Sequence, residues 1–150
     1  MAKSTRKVQN TREFTHLLIE LRSQLRQFLQ KKFRENNISL TFEMYQIMAS
    51  LWKADCIKQQ ELADRTLKDK ASLSCLIDNL TKRKLVTRSE DPADRRSKLI
   101  SLTEKGKNLG KEVEPLVDEL YETVSRNFEI KTINECISAI QQMVDNVKSG

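Results

Sequence analysis

Residues 85–106 read LVTRSEDPADRRSKLISLTEKG, and this stretch decides the fold. Two runs suited to strands, 86–90 and 98–102, flank a tip of Asp91, Pro92, Ala93, Asp94, Arg95 and Arg96. Pro92 fixes φ and has no N–H to offer a ladder, so the chain is expected to turn there. The expected hairpin carries two adjacent arginines at its end beside Asp94, whose carboxylate can orient one of them.

The preceding run, IKQQELADRTLKDKASLSCLIDNLTKRKLV at 57–86, reads as helix-turn-helix. A short helix near 59–65 buries Leu62 and Ala63, residues 66–68 turn, and Asp69 caps a longer helix. Lys58 is no strong N-cap, so the first helix starts weakly. In the longer helix Leu73, Leu76, Ile77 and Leu80 fall on an inward face. Lys70, Ala71, Ser72, Ser74, Cys75, Asn79 and Lys82 are left for the outer side. These are small or polar groups able to approach base edges and phosphates. A basic hairpin behind a helix-turn-helix has the composition of a winged-helix DNA reader.

The charge divides in a way that fits. Residues 1–57 carry ten basic and five acidic groups, and residues 58–107 carry thirteen and eight. Residues 108–150 reverse the balance, with four basic and eight acidic. A basic front and an acidic tail suit a protein with one face toward a polyanion. Charge alone does not separate that reading from simply solvated faces. A hydrophobic content of 38% with 32% charged residues describes a folded globular chain. No apolar run approaches the roughly 20 residues of a membrane span, and 1–14 lacks a secretory apolar segment. A reducing cytoplasm is the expected setting.

With three glycines and two prolines in 150 residues, the remainder reads as long helices. From about 10 to 35, Phe14, Leu17, Leu18, Leu21, Leu25, Phe28 and Leu29 recur at helical spacing, and Asn36 and Asn37 close the run. Thr41 is the expected N-cap of a second helix that buries Phe42, Tyr45, Met48, Leu51 and Trp52. Thr103 starts a helix to about 126 that contains Pro115, where a kink is expected. A last helix begins near 129–132, with Thr132 and Glu135 at capping-box spacing, and carries Ile133, Ile137, Ile140, Met143, Val144 and Val147. The expected organisation is one domain over 1–150, with a DNA-binding core at about 41–102 and dimerisation arms at about 10–35 and 103–148. Arms with apolar stripes need cover, and a two-fold dimer supplies it.

Catalysis finds no constellation. His16 is the only histidine and lies in the first helix, and no glycine loop cradles a phosphate. Glu112, Glu114, Asp118, Glu119 and Glu122 run around a helix instead of converging on a metal. No cofactor is expected. Cys75 is a redox candidate on the reading helix, whereas Cys136 is expected to pack among apolar neighbours.

The segment 91–98, DPADRRSK, with 102–106, LTEKG, and the Glu61-Leu62-Ala63 start resembles the multiple antibiotic resistance regulator (MarR) family. The resemblance implies a mainly α homodimer: a winged helix-turn-helix with long N- and C-terminal dimerisation helices and a two-stranded wing. It implies that the fourth helix enters the major groove and that the wing arginines reach the minor groove. By position, Ser72 and Ser74 match the family's hydroxyl pair, and Asp94 and Arg96 match its wing aspartate and arginine. Cys75 stands where many members have arginine. Lys84 stands where a glycine usually ends the reading helix, so the lysine takes φ > 0 or the helix ends differently. No cysteine precedes Cys56, so the family's peroxide sensing through the N-terminal helix does not carry over.

The reading is a sequence-specific regulator of transcription, a repressor released by a small ligand or stress signal. Its expected partners are a pseudo-palindromic double-stranded DNA and a second copy of itself. The alternative is an architectural DNA- or RNA-binding protein using the same basic face.

Overall fold

The structure is a computed structural model describing residues 3–150. It divides into two compact units, one ending at Val117 and one beginning at Asp118.

In the first unit, α1 (Arg6–Glu35) is capped by Thr5, whose hydroxyl accepts the Val8 N–H. It therefore starts about a turn before the apolar stripe, because Arg6, Lys7 and Gln9 are good helix formers behind a cap. Asn36 ends it, and Asn37 turns the chain with φ 57°. Thr41 caps α2 (Phe42–Lys53) as its sequence predicts, accepting the Met44 N–H at 3.1 Å. Leu29 and Phe33 of α1 are fully buried, as are Ile47, Met48 and Leu51 of α2. Each such side chain contributes roughly 1.5–3 kcal/mol by leaving water. Phe33 and Tyr45 meet edge to face with ring centres 5.9 Å apart. The aromatic residues of α2 are thus packing groups, with Trp52 half-buried.

The helix-turn-helix follows as α3 (Gln59–Thr66) and α4 (Lys70–Lys82). Leu67 makes the turn between them in the left-handed region, φ 54°. Leu62, Leu73, Ile77 and Leu80 are buried, while Leu76 is only half-buried. Lys84 adopts φ 59°, so the chain ends α4 as a glycine would. The Leu85 N–H returns to the Leu80 carbonyl at 3.0 Å.

The hairpin pairs β2 (Val86–Asp91) with β3 (Asp94–Leu102), Val86 opposite Leu102 and Arg88 opposite Ile100. The turn is shorter than the sequence implies. Only Pro92 and Ala93 lie between the strands, and Arg95 and Arg96 belong to β3. An irregularity at Glu90 and Asp91 and the Asp91 carboxylate bonded to the Ala93 N–H close the loop early. A third strand joins the sheet: β1 (Ile57–Lys58) pairs antiparallel with β3, giving the order β1-β3-β2. Two residues are too few to show alternation, so periodicity does not signal it.

α5 (Glu104–Val124) begins at Thr103, whose hydroxyl oxygen accepts the Gly106 N–H at 3.0 Å and whose O–H donates to the Lys84 carbonyl at 2.6 Å. This α5 start packs tightly on the core. A Cβ on Gly106 would fall on the Leu85 carbonyl oxygen, and one on Gly110 would lie 2.9 Å from Trp52 Nε1. The helix runs on through Pro115.

In the second unit, α6 (Ile130–Ser149) follows the end of α5. Its N-cap is Glu129, with no side-chain cap, so Thr132 lies inside the helix and the expected Thr132–Glu135 capping box does not form. Glu129 adopts the extended backbone a cap requires, and Ile130 is already helical. No α6 residue is buried, and Cys136, expected to pack, is exposed because the single chain leaves its face uncovered.

Candidate nucleic-acid interface

The outer surface of α4 is set by its cap. Asp69 accepts the Ser72 N–H at 2.8 Å and the Ser72 hydroxyl at 2.9 Å. The N–H bond, then the hydroxyl bond, hold the Asp69 carboxyl below its ordinary range. With the helix rotation fixed by buried Leu73, Ile77 and Leu80, the residues Lys70, Ser72, Cys75, Asn79 and Lys82 are exposed. Ser74 is half-buried, and its carbonyl faces Arg88. Ser72 has spent its one O–H on Asp69, so only its oxygen lone pairs remain for an outside group.

On the hairpin, Arg95 and Arg96 are exposed and have no carboxylate partner among the described residues. Asp94 does not pair with either guanidinium. Its two oxygens accept the Arg96 N–H at 3.0 Å and the Ser97 hydroxyl at 3.2 Å, shaping the start of β3. An Asx-type bond two residues on is local and needs no arginine side chain, so it prevails over the ion pair the sequence suggests.

Helix and hairpin are held to each other. Arg88 of β2 donates to Asp78 of α4 at 2.8 Å, and Lys70 and Arg96 line one small cavity. Arg88 and Asp78 are not prominent in the sequence, because a cross-element ion pair leaves no local spacing to find. Asp91, a buried carboxylate, is bridged to Lys58 of β1 at 3.6 Å. Cys75 is exposed on the outer face. Among the described residues no group of histidine, cysteine and carboxylate side chains could hold a metal ion, and no helix is long and apolar enough to cross a membrane.

Three comparisons bear on this arrangement. Residues 40–98 match the sequence pattern of the MarR family. The chain is 29% identical over 102 residues to the transcriptional regulator HosA of Escherichia coli O111:H-, covering 66% of this chain and 76% of HosA. In three dimensions it is similar to S. aureus MepR in its DNA-binding conformation: TM-score 0.81, 21% identity, 89% of this chain and 98% of the other. It is also similar to Bordetella bronchiseptica BpsR, whose DNA binding is regulated by 6-hydroxynicotinic acid: TM-score 0.75, 23% identity, 88% and 98%.

Proposed function

We propose that this chain is a member of the MarR family, a homodimeric, sequence-specific reader of double-stranded DNA that represses transcription until a small ligand or stress signal releases it. It is a DNA-binding transcription regulator of winged-helix fold, not an enzyme. The observation that carries the finer reading is the joining of an outward α4 face to a hairpin with two unpaired arginines.

In this reading Ser72, Ser74, Cys75 and Asn79 meet base edges, and Lys70 and Lys82 hold phosphates. Arg95 and Arg96 extend along the adjacent minor groove, and Asp94 sets their strand. Self-association is supported by apolar side chains the single chain leaves in water. On α1 these are Val8, Leu17, Ile19 and Leu21, and on α6 Ile137, Met143, Val144 and Val147. A two-fold dimer also presents two reading helices to one DNA face. The precedent for control by a small ligand is BpsR, whose DNA binding is regulated by 6-hydroxynicotinic acid. The reading puts the protein in the cytoplasm, beside its DNA.

The test is a competition titration of the full chain on duplex DNA from upstream of its own coding sequence, against a scrambled duplex. Preference for the native duplex supports a regulator of specific sites. Equal affinity for both is the outcome that marks an architectural binder. Light scattering at micromolar concentration should return about twice the 17.5 kDa chain mass, and a folded monomer would refute the dimer.

A further inference from the structure

The geometry points to a binding site for one phosphate group where β1, α3, α4 and β3 meet, formed by Lys58, Lys70, Arg96 and Lys98 around a cavity of about 150 Å³. The site rests on the DNA-binding reading for its ordinary ligand, a backbone phosphate, and it adds Lys58 and Lys98 to the interface.

Four cations from three elements, β1, α4 and β3, line this cavity and no carboxylate does. Lys58 and Lys98 are each steadied from outside it, by Asp91 at 3.6 Å and Glu90 at 3.5 Å on β2. Lys70 and Arg96 have no acidic partner among the described residues. Like charges that line one small cavity repel one another, and an anion between them offsets the repulsion.

Two further observations favour an anion. The first turn of α3 starts at Lys58, which supplies no side-chain cap, so its N–H groups lack the acceptor a helix start normally has. Gln59, which also lines the cavity, buries its Oε1 without a partner, and turning the amide over presents an N–H₂ donor there instead. The volume exceeds several waters at roughly 30 Å³ each, enough for a tetrahedral phosphate. One phosphate on the rim of the minor groove that Arg95 and Arg96 follow, gripped by Arg96 of the hairpin and Lys70 of the reading helix, would lock the two elements in one register on the duplex.

The experiment uses the full chain, the Lys58→Gln/Lys98→Gln double variant, and Lys58→Arg/Lys98→Arg as a charge-keeping control. The first probe is a mixed-sequence duplex carrying a neutral methylphosphonate at one backbone position at a time. The second is inorganic phosphate alone, followed through the backbone amide signals of Gln59, Gln60 and Ser97. For the wild type, one neutralised position should cost about tenfold in affinity. The Gln variant should be indifferent to that position and lose about one unit of log–log salt slope per chain, while the Arg variant behaves as wild type. Inorganic phosphate that shifts the three amides in the wild type but not in the Gln variant, without duplex binding, would support the site with a free anion as its source and sink the DNA reading. Duplex binding in which the Gln variant keeps the wild-type sensitivity and slope, with no amide shifts, overturns the site and leaves the DNA reading standing. Loss of duplex binding by the Arg variant as well would assign the lysines to folding and also overturn the site.

Discussion

Arg88 of β2 donates its Nη1 to Asp78 of α4 at 2.8 Å, so the base of the hairpin is tied to the helix proposed to read DNA. Arg88 Nη2 also points at the Ser74 carbonyl, at 3.5 Å, while its Nε is buried without a partner. The pair is a mechanical link across two elements that the DNA would otherwise have to align.

Breaking this link should uncouple reading from holding. The Arg88 side chain is 28% exposed and that of Asp78 53%, so solvent screens the pair, and a double-mutant cycle should return roughly 0.2–1 kcal/mol of coupling. Arg88→Met should nevertheless weaken duplex binding several-fold with unchanged helicity. Wild-type affinity in a folded Arg88→Met protein would show that the hairpin finds its place unaided.

Replacing Arg95 and Arg96 together by Ala should weaken duplex binding and lower the log–log salt slope by up to about 2 per chain. Asp94→Ala should also weaken it, more mildly, through loss of the bonds to the Arg96 N–H and Ser97 hydroxyl. Unchanged affinity and slope in the double variant would remove the hairpin from the interface.

Ser72→Ala and Lys82→Ala separate base reading from backbone holding. The Ser72 oxygen can only accept, so its target is an amino group of adenine or cytosine. Losing it should cost about 1–3 kcal/mol of discrimination between specific and scrambled DNA. Lys82→Ala should weaken both duplexes by similar factors. If the two variants weaken both duplexes equally, α4 is not the base reader.

Gly106→Ala should be the costly glycine change. The new Cβ meets the Leu85 backbone carbonyl, which cannot step aside without moving the α4 exit, and about 1–3 kcal/mol should be lost in urea unfolding. At Gly110 the neighbour is the Trp52 indole, whose N–H is bonded to the Gly106 carbonyl at 2.9 Å and can shift at the expense of that bond. A Gly110→Ala protein less stable than Gly106→Ala would contradict this packing.

The α4 cap should fail only in acid. Asp69 has a depressed pKa, caused first by the Ser72 N–H and then by its hydroxyl. Its contribution is therefore fully present above the unfolded carboxylate value, roughly pH 4, and is lost as pH falls through the folded value. Asp69→Asn keeps a capping oxygen and removes the titration, so its stability should fall less steeply below about pH 4. Parallel acid limbs for wild type and variant would exclude Asp69 as a titrating cap.

Much of this protein is written in short-range chemistry. Thr41 and Asp69 announce their helices because a cap needs only the next three residues. The stripe of Leu73, Ile77 and Leu80 is legible because helical periodicity is local. The LTEKG run at 102–106 names its own geometry: a threonine that caps and a glycine that lets α5 approach the Leu85 carbonyl. Local rules mislead where two of them compete. Thr132 and Glu135 have capping-box spacing, yet Glu129 starts the helix and leaves them inside it. Asp94 is followed by Arg95 and Arg96, yet nearer backbone and hydroxyl donors take its oxygens.

By itself, then, the sequence determined the helix-turn-helix, the hairpin behind it and the outward residues of α4, since each follows from spacing within one element. Only the tertiary structure decided that Lys84 takes the left-handed conformation without glycine, with Thr103 holding its carbonyl. It alone decided that β1 joins β3, that Arg88 finds Asp78, and that Lys58, Lys70, Arg96 and Lys98 share a cavity. These meetings join elements through residues 10 to 43 positions apart in the chain. No local pattern encodes them, because their partners are chosen by how the packed elements bring distant side chains together.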